Sequence, residues 1–359
     1  MPENQQEYLN LPPFSLAKDE KRQKFTKYMN ELTQYHYENS AEYARMLDAL
    51  NFSQEKNFEL EELPFLPVGL FKNYELRSVP KENIVKTMTS SGTSGQSVSK
   101  IFLDKNTALN QQKTLVKIVT DFTGNSRIPM IIIDCPSVLK NRFMFSARGA
   151  GILGFSIFGR NSIYALDDEM NLQTEKLLSF LEENQGKKIF LFGFTFMVWQ
   201  YFFKVLRDKN LKIDLSNAVL IHGGGWKKMQ EQSLTPSEFR KALKNICGIT
   251  QVFNYYGMVE QTGSIFLECE HGHLHTSIFS EIITRREKDF SPCDFGEVGI
   301  IELMSVLPSS YPGHIILTED EGRILGEDDC PCGRKGKYFE ILGRVKQAEV
   351  RGCSDTYGN

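Results

Sequence analysis

The chain has 359 residues, 41% of them hydrophobic and 11% aromatic, enough to bury a large core in one elaborate domain or two closely packed ones. Its formal net charge of -3 offers no electrostatic case for nucleic-acid binding. The polar opening Met1-Pro2-Glu3-Asn4-Gln5-Gln6-Glu7 argues against a secretory leader, and the longest apolar run, 189–203, is interrupted by Gly193, Thr195 and Gln200 and falls short of the ~20 residues that span a bilayer.

Helices are expected first. Over 21–50, Phe25, Tyr28, Met29, Leu32, Tyr35 and Tyr43 recur near helical spacing, and Pro64-Phe65-Leu66-Pro67 breaks the pattern. Ile84-Val85-Lys86-Thr87-Met88 and Ile101-Phe102-Leu103 read as short strands pinning a hairpin loop between them. From about Asn106 to Gly193, helical stretches alternate with apolar runs such as Met130-Ile131-Ile132-Ile133-Asp134 and Lys188-Ile189-Phe190-Leu191-Phe192-Gly193, the pattern of buried strands in a mostly parallel sheet. Ala218-Val219-Leu220-Ile221-His222 runs into Gly223-Gly224-Gly225. Glu297-Val298-Gly299-Ile300-Ile301-Glu302-Leu303 and His314-Ile315-Ile316-Leu317 read as antiparallel strands of a smaller β-rich lobe. No internal repeat or long low-complexity segment interrupts the series.

The loop of that hairpin is Thr89-Ser90-Ser91-Gly92-Thr93-Ser94-Gly95-Gln96-Ser97-Val98-Ser99-Lys100. Glycines let backbone N–H groups approach an anion, hydroxyls add donors and Lys100 adds charge, so a phosphate cradle is one reading; a flexible polar loop is the other. The spacing G-x-x-x-x-G-K-[ST] of a P-loop is absent. Taken singly, Gly223-Gly224-Gly225-Trp226-Lys227-Lys228 is a tight turn, Asn254-Tyr255-Tyr256-Gly257-Met258-Val259-Glu260 a strand end, Leu317-Thr318-Glu319-Asp320 an acidic turn, and Gly343-Arg344 a hairpin closure. The seven cysteines, Cys135, Cys247, Cys269, Cys293, Cys330, Cys332 and Cys353, are an odd count that points to reduced thiols and a cytoplasmic setting.

In order along the chain, these segments resemble the adenylate-forming acyl ligases from about Pro64 to Gly352. The resemblance is closer to the acyl-protein synthetases of the bacterial luminescence fatty-acid reductase system. Ser90-Ser91-Gly92-Thr93-Ser94-Gly95, Phe145-Ser146-Ala147-Arg148-Gly149-Ala150-Gly151, Phe192-Gly193-Phe194-Thr195-Phe196, Gly257-Met258-Val259-Glu260-Gln261, Ser309-Ser310-Tyr311-Pro312-Gly313-His314 and Arg351-Gly352-Cys353-Ser354-Asp355 carry it. The resemblance implies an α/β fold: mixed sheets plus a β-rich lobe, divided as a helical segment at 1–63, a catalytic domain at 64–344 and a tail at 345–359. It implies that a carboxylate attacks the α-phosphate of ATP, giving acyl-AMP and pyrophosphate. Ser90, Ser91, Gly92, Thr93, Ser94, Gly95 and Lys100 would hold phosphates and Glu260 would bind Mg²⁺. Gly224, Gly225, Tyr256 and Gly257 would form the adenine slot, and Asp320 with Arg344 would hold the ribose. Arg148 and His222 are weaker candidates beside the carboxylate or acyl group, a lone strand-end histidine being more often structural. Phe192, Phe194, Phe196, Met197 and Trp199, with room left by Gly149 and Gly151, line an acyl pocket or are plain core.

The chain departs from the superfamily in two places. The given sequence ends at Asn359, so the rotating lid beyond the Gly-Arg step is expected to be essentially absent, and Lys346 stands where a hinge aspartate is usual. The resemblance then implies that Cys353, in a short glycine-containing tail, accepts the acyl group before its transfer to an acyl reductase partner; an incidental tail cysteine is the alternative. The second departure is Cys269-x-x-x-x-x-His275 with Cys330-x-Cys332-Gly333-Arg334, a Cys₃His set suited to structural Zn²⁺, with His271 and His273 competing as ligands or the two turns unrelated. The expected function is ATP-dependent activation of a carboxylic acid, of the fatty class, and transfer to a protein thiol. A ligase for coenzyme A or a carrier protein is the alternative, and a non-catalytic reductase-binding scaffold the third.

Overall fold

The computed structural model describes residues 5–54, 56–90, 98–124, 126–139, 147–226 and 233–345. Helices α1 (Gln5–Asn10), α2 (Lys18–Asn39) and α3 (Ala41–Ala49) come first, as the aromatic spacing predicts. Phe25, Tyr28, Met29 and Leu32 lie on one buried face of α2, at spacings of three and four. Strand β1 (Leu66–Pro67) and α4 (Leu70–Asn73) lead to a two-stranded antiparallel hairpin, β2 (Ile84–Thr89) and β3 (Lys100–Asp104). Asp104 then caps α5 (Lys105–Thr123) by accepting from the Thr107 amide at 2.8 Å.

The parallel half of the main sheet follows. Strands β4 (Ile128–Ile132), β5 (Gly159–Tyr164), β6 (Ile189–Phe194), β7 (Ala218–Gly223) and β8 (Gln251–Tyr256) pair in the order β5-β4-β6-β7-β8. The crossovers carry α6 (Ala147–Ser156), α7 (Thr174–Glu183), α8 (Thr195–Met197), α9 (Lys204–Asp208) and α10 (Pro236–Cys247). Every residue of β6 and β7 is buried, which is why both read as unbroken apolar runs rather than alternating ones. Between α8 and α9, residues Val198–Phe203 widen into a π turn, stacking Trp199 on Phe203 at 4.1 Å.

The antiparallel half comprises β9 (Phe266–Glu268), β10 (Leu274–His275), β11 (Ser280–Arg285), β12 (Gly299–Ser305), β13 (Ile315–Glu327) and β14 (Lys337–Arg344). This is the β-rich part that the strand pattern suggested, and it is continuous with the parallel half. β8 pairs with β9, β9 with β10 and β10 with β14, so hydrogen bonding runs unbroken into β13, β12 and β11. Twelve strands among the described residues form this one sheet, β1 adding parallel to β13. The isolated readings of Leu317-Thr318-Glu319-Asp320 as a turn and Gly343-Arg344 as a hairpin closure are both corrected. These residues lie in long paired strands, with Asp320 directly opposite Arg344.

Candidate active site

Ligands of open α/β sheets collect at the carboxyl ends of the parallel strands. Here that edge presents Ile133 to Cys135 beyond β4, Phe194 and Thr195 at β6, Gly223 to Gly225 at β7 and Tyr256 with Gly257 at β8. Gly224 has φ +75, a left-handed conformation that glycine adopts without strain, and an added Cβ would lie 3.0 Å from the Phe194 ring. On its other side Phe194 meets Gly151 of α6, where an added Cβ would lie 3.1 Å away. Phe194 is thus clamped between α6 and the glycine turn. Phe192, Phe155 and Tyr255 stack beside it, Phe155 and Phe192 at 4.3 Å.

The two tyrosines of β8 point to opposite faces because strand side chains alternate. Tyr255 covers Gly223 so closely that any Cβ there would collide with its ring at 2.4 Å. Tyr256 packs on Phe266 and Phe339, and its hydroxyl donates to Oδ2 of Asp320 at 2.7 Å. Arg344 Nε stands 3.5 Å from the other Asp320 oxygen, and Arg344 also reaches Glu319 at 3.5 Å. The Asp320 amide donates to Oγ1 of Thr318, which itself donates to Ile301 O at 2.8 Å. Burial, then the Asp320 charge, pushes the Tyr256 phenol well above its ordinary range, so it stays a donor. Tyr256, Asp320 and Arg344 therefore form one cluster, while Gly224 and Gly225 sit at the neighbouring strand end.

Glu260 lies in a single helical turn, Val259–Gln261, directly after the Tyr256-Gly257 strand end, and is 3% exposed. Its backbone oxygen accepts from the Tyr311 hydroxyl at 2.7 Å. Gln261 Nε2 donates to Gly313 O at 2.9 Å and to Leu303 O at 3.1 Å, anchoring the turn on the antiparallel half.

The Ser/Thr/Gly loop springs from a closed hairpin, as expected: Thr89 pairs with Lys100, the Ser90 amide donates to Ser99 O, and Ser90 Oγ accepts from the Ser99 amide at 2.9 Å. Lys100 is exposed at the first position of β3. Ser91, Gly92, Thr93, Ser94 and Gly95 lie outside the described residues, as do Lys346 and Cys353.

Arg148 and His222, the two candidates for the acyl end, are both buried and held by neighbouring groups. Arg148, in α6 beside Gly149, is 3% exposed and pairs with Asp134 at 2.9 Å; burial raises the Asp134 carboxyl while Arg148 opposes the rise. Asp134, which sequence reasoning missed, accepts from the Cys135 amide at 2.7 Å. His222 turns toward α10, its ring 4.7 Å from Phe239. Thr195 Oγ1 donates to Gly223 O at 3.1 Å, which leaves it to accept from Nδ1–H of His222 at 2.9 Å. Burial first and Arg240 second push His222 down to about 3, so it is neutral.

The Cys/His set does assemble. One ligand atom each from Cys269, His275, Cys330 and Cys332 lies within 4.8 Å of the others. Cys269 and Cys330 sulfurs are 3.9 Å apart, and Cys332 Sγ is 3.3 Å from Nε2 of His275. Tetrahedral bonds of about 2.3 Å to sulfur and about 2.0 Å to nitrogen would separate ligand atoms by about 3.5–3.8 Å, so the donors fit a zinc ion in type and spacing. Burial, then Arg334, pushes His275 down to about 3, so its imidazole is neutral. His273 Nδ1 approaches Cys330 Sγ at 3.3 Å from outside the foursome. Two chain turns shape the knuckle: Gly272 at φ +84 and Gly333 at φ +80.

The family described as "Acyl-protein synthetase, LuxE" matches residues 3–359. A long-chain-fatty-acid–luciferin-component ligase of Vibrio harveyi is 23% identical over 352 residues, covering 95% of this chain and 89% of that protein. The ligase of the same name from Aliivibrio fischeri is 24% identical over 353 residues, with the same coverage. Among solved structures, 2-hydroxyisobutyryl-CoA ligase in an open conformation with 2-HIB-AMP and CoA superposes with TM-score 0.71 at 14% identity, covering 94% of this chain and 77% of that one. ATP-bound MatB from Rhodopseudomonas palustris gives TM-score 0.50 at 15% identity over 74% of this chain and 49% of its own. These likenesses show the fold of adenylate-forming ligases.

Proposed function

The chain belongs to the acyl-protein synthetase LuxE family and is a ligase, and from that premise we propose that it activates a long-chain fatty acid with ATP and passes the acyl group to a cysteine thiol, its own Cys353 first and then that of an acyl reductase partner. The observation that carries the adenylation step is the cluster of Tyr256, Asp320 and Arg344 at the strand edge that also bears the Gly224-Gly225 turn and leads into the Glu260 turn. The family match carries the thiol acceptor.

Each residue has a task that follows from its chemistry. The Asp320 carboxylate, oriented by the Tyr256 hydroxyl and Arg344, offers acceptors to a vicinal diol such as ribose. At Gly225 an added Cβ would meet nothing within 4 Å among the described residues, which would leave room for a flat base. Lys100 and the hydroxyls and amides of 90–95 offer donors for charge developing on phosphate oxygens. Glu260, buried in the turn that follows the Tyr256-Gly257 strand end, would offer carboxylate oxygens to a divalent cation. Mg²⁺, when bound, would withdraw charge from the α-phosphate as the acid carboxylate attacks it and pyrophosphate leaves. A thiolate attack on the resulting mixed anhydride would release AMP and leave a thioester.

Cys269, His275, Cys330 and Cys332 would hold zinc as a staple between the β9–β10 turn and the loop before β14. With all four ligand positions filled by protein, the ion would have no seat for substrate. No helix among the described residues is long and apolar enough to cross a membrane. The described cysteines are free thiols, consistent with work in a reducing cytoplasm.

The test is pyrophosphate exchange across a panel of acids, with and without coenzyme A. Exchange that requires a fatty acid, is indifferent to coenzyme A and falls on the order of a hundredfold in Glu260→Gln supports the reading. Stoichiometric acyl-CoA release would replace it with a coenzyme A ligase, and no exchange with any acid would leave a scaffold.

A further inference from the structure

Residues 308–314, Pro-Ser-Ser-Tyr-Pro-Gly-His, lie in the connection from β12 to β13 without regular structure, yet all seven are buried. Connecting segments ordinarily run on the surface because their polar groups need water. Here most of those groups are satisfied by four separate parts of the chain, α2, α5, β3 and the Glu260 turn. Pro308 O can only accept, so His36 donates to it from Nε2 at 2.9 Å and its Nδ1 accepts a hydrogen bond from Ser78 Oγ at 2.7 Å. Ser309 meets the Thr107 hydroxyl of α5 at 2.8 Å, and Thr33 of α2 holds His314 at 2.9 Å.

The two central side chains reach toward the two halves of the adenylation site. Ser310 Oγ donates to Phe102 O at 2.8 Å, gripping β3 two residues after Lys100. Tyr311 Oη donates to Glu260 O at 2.7 Å. Gly313 completes the seat, since an added Cβ would lie 2.3 Å from the Tyr311 ring and 3.0 Å from Glu260 O. β3 carries the exit of the Ser/Thr/Gly loop, and the 259–261 turn carries the glutamate. These two elements are far apart in sequence, and neighbouring residues of one buried segment tie to both.

We propose that Ser310 and Tyr311 are positioning residues for adenylation, holding the phosphate-loop strand and the Glu260 turn in register. The proposal rests on the adenylation reading above. It assigns Tyr311 no contact with substrate; its hydroxyl acts through the Glu260 peptide, so its effect must vanish when the Glu260 carboxylate is gone.

That condition gives the test, made on the full chain. Tyr311→Phe removes one oxygen and should lower pyrophosphate exchange about tenfold and raise the half-saturating Mg²⁺ about fivefold, with the KM for the acid unchanged. In the Glu260→Gln background the same substitution should cost less than about twofold. Thr33→Val, which loosens the far end of the segment, should lower the melting temperature without moving the Mg²⁺ dependence. Ser310→Ala should raise the KM for ATP about fivefold, and provides a second reading if Tyr311→Phe folds poorly. Equal losses from Tyr311→Phe in the wild-type and Glu260→Gln backgrounds, or a shift in melting temperature alone for both variants, would overturn the proposal. Glu260→Gln with full activity would instead remove the adenylation reading beneath it.

Discussion

The hydroxyl of Tyr256 and a carboxylate oxygen of Asp320 meet at 2.7 Å, although 64 residues separate them along the chain. The contact orients a carboxylate that stands partly open beside Arg344. Tyr255 is the ring that covers Gly223. A hydrogen bond to a charged acceptor contributes about 1.5–3 kcal/mol, so the pair sets how well Asp320 is aimed.

Asp320→Asn should therefore raise the KM for ATP on the order of tenfold or more, and Tyr256→Phe by a smaller factor in the same direction. Initial rates of pyrophosphate exchange over a range of ATP concentrations measure both. An unchanged KM in Asp320→Asn would take the carboxylate out of nucleotide binding.

For the knuckle, elemental analysis should find near one zinc per chain, and Cys330→Ser should lose the metal and melt several degrees lower. Because the knuckle's Gly272 packs on Arg240, whose guanidinium pairs with Glu268, that loss is expected to loosen α10 as well. Metal-free protein whose melting temperature ignores chelators would show the four side chains to be a thiol cluster and nothing more.

Cys353 separates activation from transfer. Cys353→Ala is expected to keep pyrophosphate exchange within about twofold of wild type while abolishing hydroxylamine-sensitive labelling of the chain by radioactive acid and ATP. Labelling at the wild-type level in that variant would put the acyl group on another residue or on coenzyme A.

The buried histidines give stability a definite pH dependence. Burial pushes His36 down to about 3, whereas an exposed imidazole in the unfolded chain titrates near 6.5. Below about pH 6.5 the unfolded state thus takes up a proton that the folded state refuses, and stability falls as pH drops toward 3. His222, His275 and His314 are lowered too, each with the same sign. Chemical denaturation at steps between about pH 8 and 4.5 should show the loss, and His36→Gln should make it shallower while costing stability at pH 8. An identical slope in that variant would assign the acid sensitivity to other groups.

The sequence by itself was enough for the parallel half of the sheet and for the hairpin around the Ser/Thr/Gly loop. Buried strands such as Ile189–Phe194 are apolar at every position, and helix faces such as that of α2 repeat every three to four residues, so burial leaves a local signature. The ordered motifs carried the family resemblance for the same reason, since each is a short contiguous string. Only the tertiary structure decided what the motifs do to one another. Asp320 faces Arg344 because β13 and β14 pair in a register shifted by irregularities at Glu321/Gly322 and Ile324/Gly326, which no local pattern encodes. Cys269 and Cys330 meet across 61 residues because β10 bridges β9 and β14 through only Leu274 and His275, too short a strand to show periodicity. The 308–314 segment looks like a polar surface loop until α2, α5, β3 and the Glu260 turn close over it, since burial of a polar segment depends on partners distant in sequence.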